Sequence, residues 1–489
     1  MGEAINESEK EIIPAMPEKL AKKSRNMSRW YTEVIRLAKL ADYAPIKGCM
    51  VIMPYGFALW ENIRDDLDRR IKETGHANAY FPLLIPESFL AKEAEHVKGF
   101  APEVAWVTQG GNNKLEERLA IRPTSEAIIC YMYSKWIRSW RDLPVKINQW
   151  ANILRWEMVT RLFLRTTEFL WQEGHTAHAT EEEAEEEARR MLEVYRDFMQ
   201  NVLAMPVIVG RKSESEKFAG AQRTYTLEAL MSDGKALQTG TSHNLGQHFS
   251  KAFDIKFLDR DGKEKYVWQS SWGVSTRLIG GIVMMHGDDG GLMLPPRIAP
   301  TQIVIVPIWN EQTQSLVRAR AERIADHLKK KFRVEADLRD EYRPGWKFNE
   351  HEMRGVPIRL EIGPKDIENK QAILVRRDRP GKFPVPESKL EVEVEEILAH
   401  IQKEIYERAL KFRNKNTHNA KNLSELKEII DTKRGFVVSF WCGDTEHEAK
   451  VKEETKATIR CIPFEEEQEK GKCLICGKPG MKVYFAQAY

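Results

Sequence analysis

The chain has 489 residues, of which 42% are hydrophobic and 30% are charged, and its formal net charge is +3. This length exceeds what one hydrophobic core organises, so we expect two to four domains. No apolar run reaches the roughly 18–20 residues that span a bilayer, and the N-terminus is too polar and acidic for a secretory signal. These features predict a cytoplasmic protein without a membrane partner. The near-neutral charge confines any nucleic-acid-binding face to a local patch.

The first part of the chain alternates amphipathic helices with short β-rich runs, after a polar lead-in of about 30 residues. Thr180 stands where it would cap one of these helices. Pro295, Pro296 and Pro300 then mark a domain boundary. The pattern predicts helices over residues 58–74, 124–138 and 180–199, and strands over residues 80–85, 145–157 and 166–173.

A fresh alternation of strands and helices follows these prolines. The polar stretch of residues 414–422 is predicted as a linker to a compact C-terminal module. We therefore expect three domains, at residues 1–296, 297–413 and 414–489. In the middle domain the pattern predicts strands over residues 302–307, 333–338, 357–362 and 372–377, and helices over residues 311–331 and 349–354.

The sequence has arginines suited to phosphate binding but no glycine-rich phosphate loop. Neither GxxxxGK nor GxGxxG occurs, so the usual nucleotide-binding folds lack their signature. Residues 155–173 instead predict a strand, a loop with Arg161 and Arg165, and a return strand. Arg155 can grip a triphosphate bidentately, and Glu157 is expected on the same strand face. A structural ion pair between such residues remains the alternative.

Two later segments add to this pattern. Residues 238–246 read QTGTSHNLG, and residues 271–281 read SWGVSTRLIGG. The second predicts a strand that passes into a helix, with Arg277 near the helix start, and such a start with an arginine forms an anion site. A tight strand–helix connection with a surface arginine is the alternative.

Taken together, these segments resemble the three motifs of class II aminoacyl-tRNA synthetases, and specifically of the prolyl enzymes. Residues 75–86 (GHANAYFPLLIP) resemble motif 1, residues 155–175 motif 2 and residues 271–281 motif 3, with RPTSE at residues 122–126. The resemblance implies an α/β (α+β) fold. It comprises a catalytic domain on an antiparallel sheet, an α/β anticodon-binding domain and a C-terminal zinc-binding α/β module. It also implies a homodimer formed through motif 1.

The resemblance implies ATP-dependent ligation of L-proline to tRNA(Pro) through a prolyl-adenylate, with Mg²⁺ accompanying ATP. Arg155 and Arg277 would be the catalytic groups, since the reaction needs alignment and charge stabilisation and no protein nucleophile. About 100 residues separate motifs 2 and 3, too few for a large editing insertion, which indicates the archaeal/eukaryotic type. The other implied ATP-binding residues are Glu157, Arg165, Thr166, Gln238, Thr241 and Ser275.

The RPTSE segment resembles the loop that distinguishes the prolyl enzymes. Proline carries a secondary ammonium with two N–H donors, and Thr124 and Glu126 offer a hydroxyl and a carboxylate to them. A helix N-cap at Thr124 is the alternative. An apolar ring pocket rejects slightly smaller amino acids weakly, so some misactivation of alanine is expected. The resemblance implies that the pocket, together with Arg155, is walled by Trp171, Glu173, His175 and His243.

The middle domain resembles an anticodon-binding domain. The resemblance implies that Glu352, Arg359 and Lys365 read the two guanines of a UGG anticodon. Arginine can grip guanine O6 and N7, and a carboxylate can accept from its ring N–H and amino groups. Ordinary surface charges are the alternative.

Four of the six cysteines fall in the last 48 residues. The CxxCG segment at Cys473 and Cys476 is typical of a zinc knuckle, and Cys442 resembles half of a second one. His447 or Cys461 would supply the fourth ligand of a structural Zn²⁺, with four unligated thiols as the alternative. The final Tyr489 matches a terminal tyrosine of the family, whose carboxylate folds back towards the active site.

Two rival interpretations remain open at this point. Another class II synthetase, such as the threonyl or glycyl type, would share the arginines. It would not share the combination of RPTSE and this cysteine module. A non-catalytic tRNA-binding paralogue would be expected to lack Arg155, Glu157 or Arg277, and all three are present.

Overall fold

The structure is a computed structural model that describes residues 19–96, 104–464 and 469–489. The first region contains seven helices and fourteen strands among the described residues. Its helices are α1 Met27–Leu37, α2 Pro54–Glu73, α3 Glu87–His96, α4 Glu126–Trp136, α5 Glu181–Asp197, α6 His248–Ala252 and α7 Arg277–His286. Its strands are β1 Ala41–Tyr43, β2 Met50–Ile52, β3 Ala77–Asn78, β4 Leu84–Pro86, β5 Trp106–Gly110, β6 Asn113–Ile121, β7 Val145–Leu154, β8 Glu168–His178, β9 Val207–Arg211, β10 Arg223–Leu230, β11 Ala236–Gly246, β12 Lys256–Leu258, β13 Glu264–Tyr266 and β14 Trp268–Ser275.

Two smaller regions follow, each built on a five-stranded sheet. The middle region comprises α8 Gln314–Leu328, α9 Pro344–Met353, α10 Pro364–Glu368, α11 Leu390–Lys415, β15 Ile303–Pro307, β16 Val334–Ala336, β17 Ile358–Ile362, β18 Gln371–Arg376 and β19 Lys382–Pro386. The C-terminal region comprises α12 Leu423–Thr432, α13 Thr445–Thr455, β20 Thr417–Asn419, β21 Phe436–Trp441, β22 Ala457–Cys461, β23 Lys470–Lys472 and β24 Pro479–Gln487.

A seven-stranded sheet forms the centre of the first region, in the order β3-β7-β8-β14-β11-β10-β9. All of its neighbouring strands are antiparallel except the short parallel pair β3–β7. This confirms the antiparallel sheet that the resemblance implies for the first domain.

Helix α5 packs on one face of this sheet and leaves the other face open. Ala184, Ala188, Met191 and Tyr195 are buried at helical spacing against the sheet. Thr180 caps α5 as predicted, because its hydroxyl accepts from the Glu183 amide at 3.2 Å. The open face is therefore available for a substrate site.

The predicted strand over residues 80–85 is wrong. The chain forms β3 and β4 with an irregular link between them, because side chains satisfy the backbone there in place of a strand ladder. The Phe81 amide donates to Gln149 Oε1 at 2.6 Å, and Arg122 donates to the Phe81 carbonyl at 2.8 Å. Neither side chain could be assigned to this role from local sequence.

The predicted linker over residues 414–422 is also wrong. Helix α11 continues to Lys415, and β20 pairs in parallel with β21, so the predicted boundary at residue 413 falls inside a helix. The polar side chains of this stretch form hydrogen bonds with backbone groups nearby in sequence. Thr417 Oγ1 donates to the Arg413 carbonyl at 2.8 Å, and Asn422 accepts from the Glu425 amide at 2.9 Å to cap α12.

The C-terminal region docks on the edge of the central sheet. The backbones of Arg211 and Ile462 exchange two hydrogen bonds of 2.9 Å. Beside them, buried Glu228 accepts from Lys212 Nζ at 2.7 Å and from the Arg460 guanidinium at 3.1 Å. Because removing one partner of a buried ion pair costs about 3–5 kcal/mol, this contact fixes the C-terminal region firmly.

Candidate active site

A cavity of about 280 Å³ opens on the face of the central sheet away from α5. It lies over β8, β11 and β14, at the starts of α4 and α7. A larger cavity of about 1150 Å³ lies between the β9–β10 edge of the sheet and the C-terminal region, and it is lined by Cys442 but by none of the residues predicted to bind ATP or proline. The predicted residues that line the smaller cavity are Thr124, Glu126, Arg155, Trp171, Glu173, His175, Gln238, Thr241, His243, Ser275 and Arg277.

Strand geometry explains why these residues meet. Trp171, Glu173 and His175 stand two apart on β8, so their side chains share one face of the sheet. In the adjacent register, Trp171 lies opposite Ser275 and His175 lies opposite Ser271. Strand β8, the return strand of motif 2, and strand β14, the start of motif 3, therefore form one continuous floor of the cavity.

Thr124 and Glu126 form the end wall of the cavity. Both are buried, and the Thr124 hydroxyl donates to the Glu126 carboxylate. The N-cap of α4 is Ser125 and not Thr124, so the capping alternative for Thr124 is wrong. This leaves a hydroxyl and a carboxylate side by side at the cavity wall.

A buried network holds Glu173 and His175 in place. Glu173 accepts from Ser125 Oγ, from Gln149 Nε2 at 2.8 Å and from His175 Nε2 at 3.0 Å. Burial alone would raise the pKa of Glu173, but the hydrogen bonds from His175, Ser125 and Gln149 lower it, so the group stays a carboxylate. Burial likewise opposes the charge on His175, but the hydrogen bond to Glu173 and the nearby Glu126 raise its pKa.

The two arginines are each anchored through Nε. Arg155 Nε donates to the Pro123 carbonyl at 2.9 Å, and Arg277 Nε donates to the Leu164 carbonyl at 3.2 Å. Arg277 is the first residue of α7, as predicted. In the described ranges neither guanidinium forms an ion pair, so their terminal nitrogens can bind an anion in the cavity.

The remaining predicted ATP residues lie outside the cavity, in the loop between β7 and β8. Strand β7 ends at Leu154, so the prediction that Arg155 and Glu157 share a strand face is wrong. Glu157 pairs with Arg165 at 3.5 Å. Thr166 is buried, and its hydroxyl has no hydrogen-bond partner among the described residues.

Several cavity residues were missed by the sequence analysis. Phe169 stands two residues before Trp171 on β8, so the same alternation could have found it. Lys217 and Phe218 lie in an irregular segment that carries no periodic signal. The Phe218 ring lies 5.0 Å from the His243 ring, which closes one side of the cavity.

In the middle region the predicted anticodon residues are only partly brought together. Glu352 and Arg359 line one cavity of about 350 Å³, whereas Lys365 lies exposed on α10, outside it. The Arg359 guanidinium is 4.1 Å from the centroid of the Phe348 ring and pairs with Glu361 at 3.0 Å. These contacts fix the orientation of the arginine.

Cys442, His447, Cys473 and Cys476 form one cluster, with ligand atoms within 4.8 Å of one another. Cys442 Sγ lies 3.8 Å from Cys476 Sγ and 3.2 Å from His447 Nδ1. A zinc tetrahedron with Zn–S bonds of about 2.3 Å has S···S edges of about 3.8 Å, so the residues fit Zn²⁺. Cys461 is buried in β22 outside this cluster, so the alternative fourth ligand is not supported.

Tyr489 contacts the loop that anchors Arg277 at the edge of the cavity. The Tyr489 hydroxyl donates to the Leu164 carbonyl at 2.8 Å, the same carbonyl that holds Arg277. The Arg277 guanidinium is 5.2 Å from the centroid of the Tyr489 ring. Tyr489 therefore supports the loop between β7 and β8 and the Arg277 side chain.

An antiparallel sheet with three ordered motifs and two anchored arginines defines a class II aminoacyl-tRNA synthetase. The family described as tRNA synthetase class II core domain (G, H, P, S and T) matches residues 106–286. The anticodon binding domain family matches residues 302–404, and the family described as prolyl-tRNA synthetase, C-terminal, matches residues 423–489.

Relatives over the full length narrow this class to one family. The chain is 59% identical over 483 residues to a proline–tRNA ligase of Natranaerobius thermophilus, which covers 98% of each chain. It is 60% identical over 473 residues to that of Rubrobacter xylanophilus, covering 96% of this chain and 99% of the relative. The chain belongs to the prolyl-tRNA synthetase family.

Helices that could cross a bilayer are not found in the described ranges.

Proposed function

We propose that the cavity on the central sheet activates L-proline with ATP and then transfers it to tRNA(Pro). An oxygen of the proline carboxylate attacks the α-phosphorus of ATP, and the bond to diphosphate breaks. A ribose hydroxyl of the tRNA then attacks the prolyl carbonyl, and AMP leaves. The observation that carries this proposal is the pair of Nε-anchored arginines beside a wall built from Thr124 and Glu126.

In this proposal the arginines stabilise charge on the phosphates. Arg155 contacts the α-phosphate and the proline carboxylate, and Arg277, at the start of α7, contacts the distal phosphates. Because Nε of each is already bound to a carbonyl, the groups are held in place before the substrate arrives, which is what preorganised stabilisation requires. Mg²⁺, held by phosphate oxygens, would supply further charge neutralisation.

The loop between β7 and β8 is proposed to hold the adenine end of ATP. Glu157, Arg165 and Thr166 lie on this loop outside the cavity, so binding would bring them over the nucleotide. The hydroxyl of buried Thr166 has no partner in the part of the chain that the structure describes, which supports such a change because a buried polar group is normally hydrogen-bonded. Gln238, Thr241 and Ser275 line the sheet floor beneath.

The proline ring is proposed to lie between Trp171 and His243, with its ammonium at the end wall. Glu126 accepts one N–H and Thr124 the other. Glu173 is fully occupied by internal donors, so its role is to position His175 and the start of α4.

Replacement of the end-wall carboxylate tests this pocket. We expect Glu126→Gln to raise the KM for proline about tenfold or more, because a hydrogen bond to a charged group is lost. The KM for ATP should stay within about twofold. Steady-state pyrophosphate exchange measures both, with Glu116→Gln on the exposed face of β6 as the matched control. Equal increases in both KM values would contradict the assignment.

Glu352 and Arg359 are proposed to read the guanines of the anticodon, with Lys365 contacting from α10. A carboxylate and an arginine in one cavity suit the two edges of guanine.

The cysteine cluster is proposed to hold a structural Zn²⁺. Cys442, His447, Cys473 and Cys476 would fill all four positions, leaving no position open for a water, so the metal would organise the fold and not the reaction.

A homodimer in the cytoplasm is proposed from the motif 1 surface. Tyr80 is 72% exposed there, Leu84 is exposed in the same segment, and the exposed Trp136 ring lies 6.0 Å from the ring of Phe81, the residue after Tyr80. Exposed aromatic and apolar side chains grouped in this way mark protein interfaces. Sedimentation at several concentrations tests the dimer, and a monomer at micromolar concentration would contradict it.

Deletion of Tyr489 tests the role of the C-terminus. We expect about a tenfold loss in the rate of exchange, because one hydrogen bond and a ring contact at the Arg277 loop disappear. Thermal unfolding should shift little, and Tyr489→Phe should retain the ring contact and part of the activity. Losses of activity and stability in equal measure would show a structural role only.

One assay tests the proposed function as a whole. Pyrophosphate exchange into ATP, measured with each amino acid in turn, should depend on proline, with a weak signal from alanine. Exchange that depends on threonine or glycine would favour another class II enzyme. Binding of tRNA without any exchange would favour a non-catalytic paralogue.

A further inference from the structure

Two aromatic side chains of the middle region stack on each other at the protein surface. The ring centroids of Tyr342 and Trp346 are 3.9 Å apart, and the ring planes differ by 14°. Tyr342 is 37% exposed and Trp346 is 45% exposed. Single exposed apolar side chains are common on proteins and need no explanation. A parallel pair presenting its rings to solvent is a surface suited to another flat ring.

A fixed cation borders this pair. The Arg339 guanidinium lies 5.0 Å from the Tyr342 ring centroid and 5.4 Å from that of Trp346. Arg339 is held by both oxygens of Asp337, at 2.8 and 2.7 Å, and by Glu350 at 2.5 Å. Because three hydrogen bonds fix the guanidinium, the rings and the charge form one preorganised unit. We refer to Arg339, Tyr342 and Trp346 as the aromatic platform.

The platform lies close to the residues proposed to read the anticodon. Trp346 is in the first turn of α9 and Glu352 is in its last turn, so the two are about 9 Å apart along the helix axis. Strands β15, β16 and β17 are parallel, so the starts of α9 and α10 lie at the same edge of their sheet. Lys365 on α10 therefore faces the same edge as the platform. This spacing corresponds to one or two nucleotides of an extended single strand.

We propose that the aromatic platform stacks one unpaired base of the anticodon loop, with Arg339 beside the adjoining backbone. Single-stranded RNA is recognised largely by stacking of splayed bases on aromatic and arginine side chains. A docked protein is a poorer fit, because stable interfaces bury about 800 Å² per partner and two rings offer far less. The inference rests on the proposed function, since it requires tRNA to be the substrate.

Replacement of Trp346 tests the platform. Trp346→Ala should raise the KM for tRNA in aminoacylation at least about fivefold, whereas Trp346→Phe should retain most of the affinity. Proline-dependent pyrophosphate exchange and the unfolding temperature should be unchanged for both variants. Val392→Ala is the matched control. Val392 is 60% exposed on α11, next to Glu391, and Glu391 pairs with Lys331, which follows the C-terminal end of α8. An unchanged KM for tRNA in Trp346→Ala would overturn the inference.

Abasic tRNA transcripts distinguish stacking from a general effect on tRNA binding. One abasic position in the anticodon loop should weaken binding to the unmodified enzyme, while Trp346→Ala should bind that transcript and intact tRNA alike. If the affinity lost through Trp346→Ala and the affinity lost through an abasic site were strictly additive at every loop position, no base would stack on the platform. That result would also overturn the inference. Absence of proline-dependent exchange in the unmodified enzyme would instead contradict the proposed function, so the two failures are separable.

Discussion

Arg155→Ala is expected to lower kcat for proline-dependent pyrophosphate exchange about 100- to 1000-fold. The guanidinium enters the cavity directly after β7, is fixed by the Pro123 carbonyl, and lies 5.4 Å from the Trp171 ring centroid. Loss of one preorganised donor to a developing charge costs roughly 3–4 kcal/mol in the transition state, which sets this range. Exchange kinetics at saturating proline and ATP measure the effect, and isothermal titration shows whether ATP still binds.

Two variants separate this role from a general loss of charge. Arg155→Lys retains the charge but loses the planar fork, so we expect it to recover only a part of the activity. Arg223→Ala removes an arginine from the same sheet, where the guanidinium pairs with Glu185 on the α5 face, and should leave exchange within about twofold. Near-normal kcat in Arg155→Ala would exclude the proposed role.

Cys473→Ser is expected to abolish bound zinc and destabilise the C-terminal region. Zn²⁺ binding by such ligands is worth several kcal/mol of folding free energy, so an unfolding temperature lower by about 10 °C or more is expected. Metal content, measured by mass spectrometry on the purified protein, should fall from one equivalent to near zero. Exchange activity should fall as well, because the same region carries Tyr489 to the Leu164 carbonyl.

Cys461→Ala supplies the control for this prediction. Cys461 is buried in β22 and lies outside the cluster, so its replacement should cost some stability through packing but leave one equivalent of zinc. Zinc lost in Cys461→Ala and retained in His447→Ala would reverse the ligand assignment. Protein purified without zinc and with full stability would contradict a structural metal.

Much of the site could be predicted because the family motifs name its residues and local periodicity places most of them. Trp171, Glu173 and His175 alternate along one strand, and Arg277 begins a helix, as the pattern predicts. Arg155 was expected within a strand and instead follows its end. The central sheet then brings these distant segments together at one cavity. The family resemblance predicts this assembly, because the chain carries the three motifs in the family's order.

The parts that failed depend on contacts between distant residues or on misleading composition. Gln149 and Ser125 meet at Glu173 across 24 and 48 positions of sequence, and no local pattern encodes that contact. The polar residues 414–422 have the composition of a linker, yet their backbone pairs as β20 and their side chains cap α12. Composition cannot show which polar groups are already satisfied within the fold.

The contact between the Tyr489 hydroxyl and the Leu164 carbonyl makes the surroundings of Arg277 depend on how the C-terminal region is docked, because Arg277 donates to the same carbonyl. A protein whose C-terminal region had come loose from the edge of the sheet would keep every residue that lines the cavity and still be a poor catalyst. Damage to the C-terminal region would therefore be detected first as lost activity.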